Sequence, residues 1–492
     1  MSHAKSEWDL DLATGQLTRK LRGAELMVRA SELTDNGNFQ LNILGEFETN
    51  IPKMELRRRC QTSWWLTRQT LPLIGITLGL EQAFFKPIQS VNDAKLWISE
   101  TCIFEKNVTC EEVLMKQCRQ ASDVTKVTVI LEPLSGRLGC VVNISHTLTS
   151  LDVYHIMDSF VSNLSARECD VDLEQIFLPE TATLVANRLP QSLGQAYANQ
   201  HPAITEAERE EAWRIYEHAQ ERWQRSSIGI PVHPDHGTRP SLIHNEQATF
   251  SAAEVKAALA AAKMQRVTIT TLFFACITAG IRARYSDGSE EGAHLVFSGN
   301  GQRWLDTRAS DTRGPVGMSI LPGALWLDRA DIMNTGQVKP RDVFEMARKI
   351  QTLQNQDLHS KHIIAVYDEL APTAFQAAME SRHQPRAVPR VCRPTLTSQG
   401  EFFKQDSAAR RKSNDAAGGP HKAKLVHFRS GGRNTDSSVC FALFSFRGDM
   451  RCNMLFDEKF FDRDEVVGLM DTIMGIFRRV AFSVQEGTLA KF

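Results

Sequence analysis

The sequence predicts an α/β (α+β) fold of two similarly built lobes, and three observations carry that expectation. At 492 residues the chain exceeds what one hydrophobic core ordinarily organises, so two lobes sharing an interface are expected. With 42% hydrophobic and 23% charged residues, each half has enough apolar side chains to bury a core of its own. The third observation is a hairpin followed by a helix, present once in each half, which reads as an internal pseudo-repeat. The first unit comprises residues 127–131, a turn at Pro133-Leu134-Ser135-Gly136, residues 139–145 and a helix at 151–164. The second comprises 439–446, a Gly448-Asp449 turn, 450–456 and a helix at 465–478.

Taken in order, residues 1–178 form the first lobe, 179–240 a linker with one charged helix, and 241–492 the second lobe. The first lobe is expected to begin with strands near 17–25 and 39–47. A helix over 52–71 follows, with Leu56, Cys60, Ser63, Trp64 and Thr67 at helical spacing and Pro72 as its stop. Trp64 and Trp65 read as core side chains. In the linker, Pro179, Pro190, Pro202, Pro231 and Pro234 flank a helix opened by a Thr205/Glu208 capping box. Its narrow apolar stripe of Ala212, Trp213, Tyr216, Ala219 and Trp223 places it on a surface between the lobes. His233-Pro234-Asp235-His236-Gly237 lacks a third ligand and reads as a turn, so no metal is expected.

The second lobe opens with a Ser251/Glu254 capping box and a helix over 252–263. A helix over 268–283, apolar on nearly all sides, is expected to be buried. A strand at 295–298 leads to a Gly299-Asn300-Gly301 turn, and Gly314-Pro315-Val316-Gly317 leads to an apolar segment over 318–327. Residues 404–434, rich in Arg, Lys, Ser and Gly and containing Arg410-Arg411-Lys412, read as a surface loop with cations able to attract phosphate. Asp462 and Glu465 are expected to cap the last helix.

A formal net charge of −1 argues against a general affinity for nucleic acid or anionic membrane. The polar start, Met1 to Asp9, has the wrong character for a targeting segment, so a cytoplasmic protein is expected. The longest apolar stretch, 269–281, is well short of the roughly 20 residues that span a bilayer. Ten cysteines without a CxxC pair read as small core hydrophobes, and nothing demands more than a monomer.

His146 is the candidate catalytic residue, because it stands where the first hairpin leaves the sheet for a helix. An imidazole there suits proton removal at neutral pH, although a buried structural histidine is the competing reading. No GxSxG nucleophile elbow competes with it. The segment Ser145-His146-Thr147-Leu148-Thr149-Ser150-Leu151 resembles the HHxxxDG motif of the chloramphenicol acetyltransferase-like superfamily. That superfamily includes peptide-synthetase condensation domains, plant (BAHD) acyltransferases and fungal alcohol O-acetyltransferases. The order of Phe250-Ser251-Ala252-Ala253-Glu254, residues 314–327 and Arg447-Gly448-Asp449-Met450 is most similar to the fungal trichothecene 15-O-acetyltransferase type.

The resemblance implies two chloramphenicol acetyltransferase-like lobes with a tunnel between them, in which the motif histidine deprotonates an acceptor hydroxyl for attack on an acyl thioester. It implies an acyl-CoA such as acetyl-CoA as co-substrate, or an acyl chain on a carrier protein, with no permanently bound cofactor. It also points to Pro394-Thr395-Leu396-Thr397-Ser398-Gln399-Gly400 for an oxyanion donor, with Thr397 and Ser398 as candidates. Three positions depart from the motif: Ser145 replaces its first histidine, Ser150 its aspartate and Leu151 its glycine. Ser150 cannot form the family's aspartate–arginine pair but can cap the following helix, as can Thr149 with Asp152. Asp152 cannot take the aspartate's place, being turned about 200 degrees around a helix from Ser150. Arg303, in the segment similar to the family's arginine-bearing one, is then available for a structural role or a phosphate contact. The expected activity is acyl-CoA-dependent O-acylation of a hydroxylated secondary metabolite. The altered motif leaves open a CoA-independent cyclisation, elimination or rearrangement of a polyketide or terpenoid, or an inactive binding paralogue.

Overall fold

Two sheets built on one plan, each backed by helices, organise the chain. The computed structural model describes residues 6–133, 138–150, 153–286, 288–305, 316–332, 338–357, 360–384, 387–402 and 422–483. In the first half, helix Ala24–Thr34 (α1) precedes strand Leu41–Thr49 (β1) and helix Lys53–Thr70 (α2). Cys102–Val108 (β2), Cys110–Cys118 (α3), Lys126–Pro133 (β3), Leu138–Ile144 (β4) and Val153–Leu164 (α4) follow. Leu193–Gln200 (α5) and Glu206–Trp223 (α6) lead to the second half. There the order is Ile243–Phe250 (β5), Ala252–Met264 (α7), Ile269–Tyr285 (α8), Gly292–Asn300 (β6), Ile320–Asp328 (β7), Pro340–Asp357 (α9) and Ile363–Ser381 (α10). Pro394–Phe402 (β8), Ala423–Gly432 (β9), Val439–Phe446 (β10), Asp449–Asp457 (β11) and Arg463–Phe482 (α11) complete it.

The pseudo-repeat appears in strand order and direction. The first sheet runs β9-β1-β4-β3-β2, antiparallel throughout except for the parallel pair β3–β2. The second runs β5-β11-β10-β8-β6-β7, with β10–β8 and β8–β6 parallel. Thus β1-β4-β3-β2 and β5-β11-β10-β8 share one order and one set of directions. In both, the hairpin's second strand feeds the helix that covers the sheet, α4 in one lobe and α11 in the other. The second hairpin closes through Arg447 and Gly448, not the expected Gly448-Asp449, at φ +54 and +89, the left-handed pair that a two-residue turn of the right twist needs; Asp449 already belongs to the return strand.

Local signals in the sequence position several elements as expected. Thr205/Glu208 and Ser251/Glu254 form complete capping boxes on α6 and α7. Trp64 and Trp65 are fully buried, Trp64 stacking on Trp97 with centroids 5.9 Å apart. Helix α8 is buried from Thr271 to Ile281, and of the ten free cysteines only Cys440 is not fully buried. No single helix among the described residues is long and apolar enough to cross a membrane.

Three further local expectations are corrected. The strand expected over 17–25 ends at Lys20, and a helix, α1, begins at Ala24. Its buried face carries Glu25, Arg29 and Glu32, so hydrophobic periodicity does not reveal it. The stretch read as a loop over 404–434 contains strand β9, while 403–421, with Arg410-Arg411-Lys412, lies outside the described residues. Asp462 is the N-cap residue of α11, but its carboxylate receives Arg239 (2.8 Å) and makes no cap bond. The turn at 134–137 also lies outside the described residues.

Strand β9 has a consequence for the whole molecule. Although it precedes β10 by only six residues, it pairs with β1 and forms an edge of the first sheet. Phe428 is fully buried on it, its ring 5.0 Å from that of Phe402 and 5.8 Å from that of Phe444. Ala371 and Phe375 of α10 enter the same core. The first lobe's core is therefore completed by side chains from the second half of the chain. Truncation of Phe428 to Ala is expected to cost about 3–5 kcal/mol in equilibrium denaturation, the usual range for a buried aromatic. A loss below about 1 kcal/mol would show that β9 is not integral to that core.

Candidate functional site

The site is built where β4 runs out of its sheet. Cys140, Val142 and Ile144 pack beneath Ile156, Met157 and Phe160 of α4, which fixes the strand and the helix on either side of the connecting loop. From Gly139 to Ser150 every residue is buried except His146, which keeps partial exposure. Its Nδ1 lies 2.6 Å from the carbonyl oxygen of Thr149. A carbonyl only accepts, so the partner assigns the proton to Nδ1 and leaves the lone pair on Nε2. Burial holds the His146 pKa below its ordinary 6.5, against the opposing effect of the bond to Thr149. At neutral pH the ring is then uncharged, with Nε2 an acceptor.

One carboxylate anchors the loop on both sides of the imidazole. Ser145 Oγ donates to Glu32 Oε1 (2.5 Å) and Thr147 Oγ1 donates to Glu32 Oε2 (3.2 Å). Arg29, one turn earlier on α1, donates to Glu32 Oε2 at 3.1 Å and is itself held by the carbonyl of Gly79 at 2.9 Å. The Thr147 backbone N–H donates to Ser145 Oγ (3.1 Å), closing the network. Glu32 is 4% exposed, and burial raises its pKa against the hydrogen bonds from Ser145, Arg29 and Thr147. Sequence reading missed this group. Its signal was the spacing of Glu25, Arg29 and Glu32, which places three charges on one helical face.

The other side of the loop rests on the second lobe. Ser150 Oγ lies 2.8 Å from Ser319 Oγ, just before β7, and the Ser319 carbonyl accepts from the N–H of Gly301 just after β6. A Cβ at Gly317 would stand 3.0 Å from the carbonyl oxygen of Leu148, so the two segments meet at a distance only glycine permits comfortably. Tyr154, in the first turn of α4, contacts Phe402 at the end of β8, with centroids 5.0 Å apart. These contacts set the His146 loop over the C-terminal ends of the parallel strands β6 and β8, where sheets of this kind place ligands.

Those strands offer a surface to a ligand. Thr397 pairs with Ala442 on β10, and Phe444 and Phe446 of the same face belong to the first lobe's core. By alternation, Thr395, Thr397, Val296 and Ser298 also face the first lobe. All four are half-buried, while Leu295, Phe297 and Leu396 on the opposite face are sealed. The partly exposed residues of these strands are thus the ones turned toward the first lobe.

The remaining candidates lie apart. Ser398 Oγ is 2.8 Å from Thr270 Oγ1 of α8, on the side of the sheet away from the seam. Arg303 is exposed in a short turn after β6, its guanidinium 4.2 Å from the Trp304 ring centroid, and partial burial lowers its pKa. Leu151 and Asp152 are outside the described residues, so the Thr149/Asp152 cap is too. Among the described residues no group of three His, Cys, Asp or Glu side chains is placed to hold a metal ion.

A two-lobed scaffold with a histidine at the hairpin-to-helix turn of one copy defines a class, and the chain has the fold of the chloramphenicol acetyltransferase-like superfamily. No family model matches the chain. An acyl-CoA-dependent acyltransferase of Pseudozyma antarctica is 28% identical, the similarity covering 93% of each chain. Trichothecene 15-O-acetyltransferase from Fusarium sporotrichioides superposes with a TM-score of 0.78 at 13% identity, over 98% of this chain and 99% of that one. The starter condensation domain of rhizomide synthetase, solved with C8-CoA, gives a TM-score of 0.57 at 10% identity over 94% and 95%.

The geometry of the imidazole is directly measurable. In an NMR titration of the histidine rings, the His146 midpoint is expected below 6.5, with the neutral ring protonated on Nδ1. A midpoint at or above 6.5, or a neutral ring protonated on Nε2, would contradict the description of the loop.

Proposed function

We propose that the protein is an acyl-CoA-dependent O-acyltransferase acting on a hydroxylated secondary metabolite, with His146 as the general base. The observation that carries this reading is the pinned imidazole. With Nδ1 bonded to Thr149, the lone pair on Nε2 belongs to the one part-exposed residue of an otherwise buried loop. The similarity to an acyl-CoA-dependent acyltransferase over most of the chain supplies the reaction class.

The chemistry follows from those positions. A free alcohol is a weak nucleophile at neutral pH, and Nε2 accepts its proton as the oxygen attacks the thioester carbonyl. The tetrahedral intermediate carries the charge on the former carbonyl oxygen, which needs a donor close by. Thr397, which faces the seam, is the donor we assign, because the Ser398 hydroxyl is engaged by Thr270 on the other side of the sheet. Collapse breaks the carbon–sulfur bond, and the imidazolium returns its proton to the departing thiolate. The products are the ester and free CoA. Because burial lowers the His146 pKa, the base stays neutral below pH 6.5 and is lost only in more acidic solution.

Release of free CoA from acetyl-CoA or a longer acyl-CoA, in the presence of a panel of hydroxylated terpenoids and polyketides, tests the activity. His146→Ala is expected to lower kcat by about 10²- to 10⁴-fold, the range for loss of a general base. The acid limb of kcat/KM is expected below pH 6.5. Conversion of a candidate intermediate with no thioester present, or an unchanged rate in His146→Ala, would overturn the assignment. Thr397→Val is expected to lower kcat by about 10²-fold or more, as for other lost oxyanion donors. A smaller effect than that of Ser398→Ala would move the oxyanion donor away from Thr397.

A further inference from the structure

We infer that Glu32 is the positioning residue of this active site, taking over from α1 the anchoring that the acidic position of the motif gives up. The inference rests on the reading of His146 as the base. Position 150 is a serine, and its hydroxyl is occupied by Ser319 across the seam, so it supplies no charge to the loop. The only carboxylate bonded to the loop's side chains, among the described residues, is Glu32. It receives one hydroxyl from the residue before His146 and one from the residue after it. Ser145 and Thr147 are thereby both drawn toward α1, and the bond to Thr149 then fixes the rotation of the intervening imidazole.

Glu32 has no route to a substrate, being sealed behind the two side chains it holds. Its contribution is to the precision of Nε2, and displacements of about 1 Å at a reacting group cost on the order of 10²-fold in rate. Arg29 completes the device. Fixed by the Gly79 carbonyl, it supplies the positive charge that keeps a buried carboxylate tolerable. The fold thus pays with two buried charges on α1 for a loop that an apolar helix face would leave unanchored.

The test uses the full chain and measures CoA release for wild type, Glu32→Gln, the pair Ser145→Ala with Thr147→Val, and each of these in a His146→Ala background. Glu32→Gln is expected to lower kcat by roughly 10- to 100-fold, as for outer groups that orient a catalytic side chain, with KM for either substrate changed less than about threefold. The Ser145→Ala/Thr147→Val pair is expected to cost about as much, and its combination with Glu32→Gln no more than either alone. In His146→Ala, Glu32→Gln is expected to leave the residual rate where it is. Retained kcat in a folded Glu32→Gln, or a further loss on the His146→Ala background, would overturn the role. If Glu32→Gln does not fold, the Ser145→Ala/Thr147→Val pair decides, since it keeps the Glu32–Arg29 ion pair and removes the link to the loop; Thr147→Val alone, which also keeps the bond from the Thr147 N–H to Ser145 Oγ, is then expected to lose part of the same kcat. Loss of the proposed function itself is distinguishable: the wild type then releases no CoA, or His146→Ala matches it.

Discussion

The constraint that everything at the seam depends on is the need to satisfy the open edge of the first sheet. Strand β9 forms that edge, and its outward carbonyls would otherwise lie unpaired in the interior. The second lobe supplies their partners from side chains: Arg451 donates to the Phe428 carbonyl, and Asn245 and Asn453 donate to that of Ser430. In return, the Arg429 side chain donates to the Asn245 carbonyl and pairs with Glu111 of α3. The lobes are therefore joined by polar groups that lose their partners if the halves separate, and a buried unpaired polar group is costly. Such an interface ties the two sheets together, and Val296, Ser298, Thr395 and Thr397 keep partial exposure on the face of the second sheet turned toward the first lobe.

The loop itself is suspended between the two halves. From the first lobe it is held by Glu32, from the second by Ser319, and the close passage of Gly317 past Leu148 sets the spacing. A histidine on a free loop would sample many rotamers and lose rate accordingly. Here each neighbour of the ring in sequence is buried, and the ring's own Nδ1 is committed. What remains is one nitrogen held at one place, which is what the proposed role as a general base requires.

The parts of the fold that the sequence reveals are those set by neighbours in the chain. The capping boxes at Thr205 and Ser251, the tight turn of the second hairpin, which the sequence places one residue late at Gly448-Asp449, and the buried helix α8 all follow from residues a few positions apart. Asp462 shows where that logic stops: its residue type suits a helix cap, but its carboxylate is bonded to Arg239, 223 residues away. The site follows the same division. His146 stands out because it follows a strand and precedes a helix, whereas Glu32 is 114 residues earlier on a helix whose buried face is charged. Ser398 and Thr397 look alike in sequence, and the pleat alone sends one to α8 and the other to the seam.

By itself the sequence determined the repeated hairpin-and-helix plan, the position of the imidazole at its turn, and the absence of an acidic group at position 150. These are local properties, fixed by periodicity and by residue identity. Only the tertiary structure decided that β9 leaves its own half to edge the other sheet, and that Glu32 stands where the loop needs a carboxylate. Both depend on contacts between residues hundreds or scores of positions apart, and such contacts are chosen by the burial of whole faces against one another, which no single segment encodes.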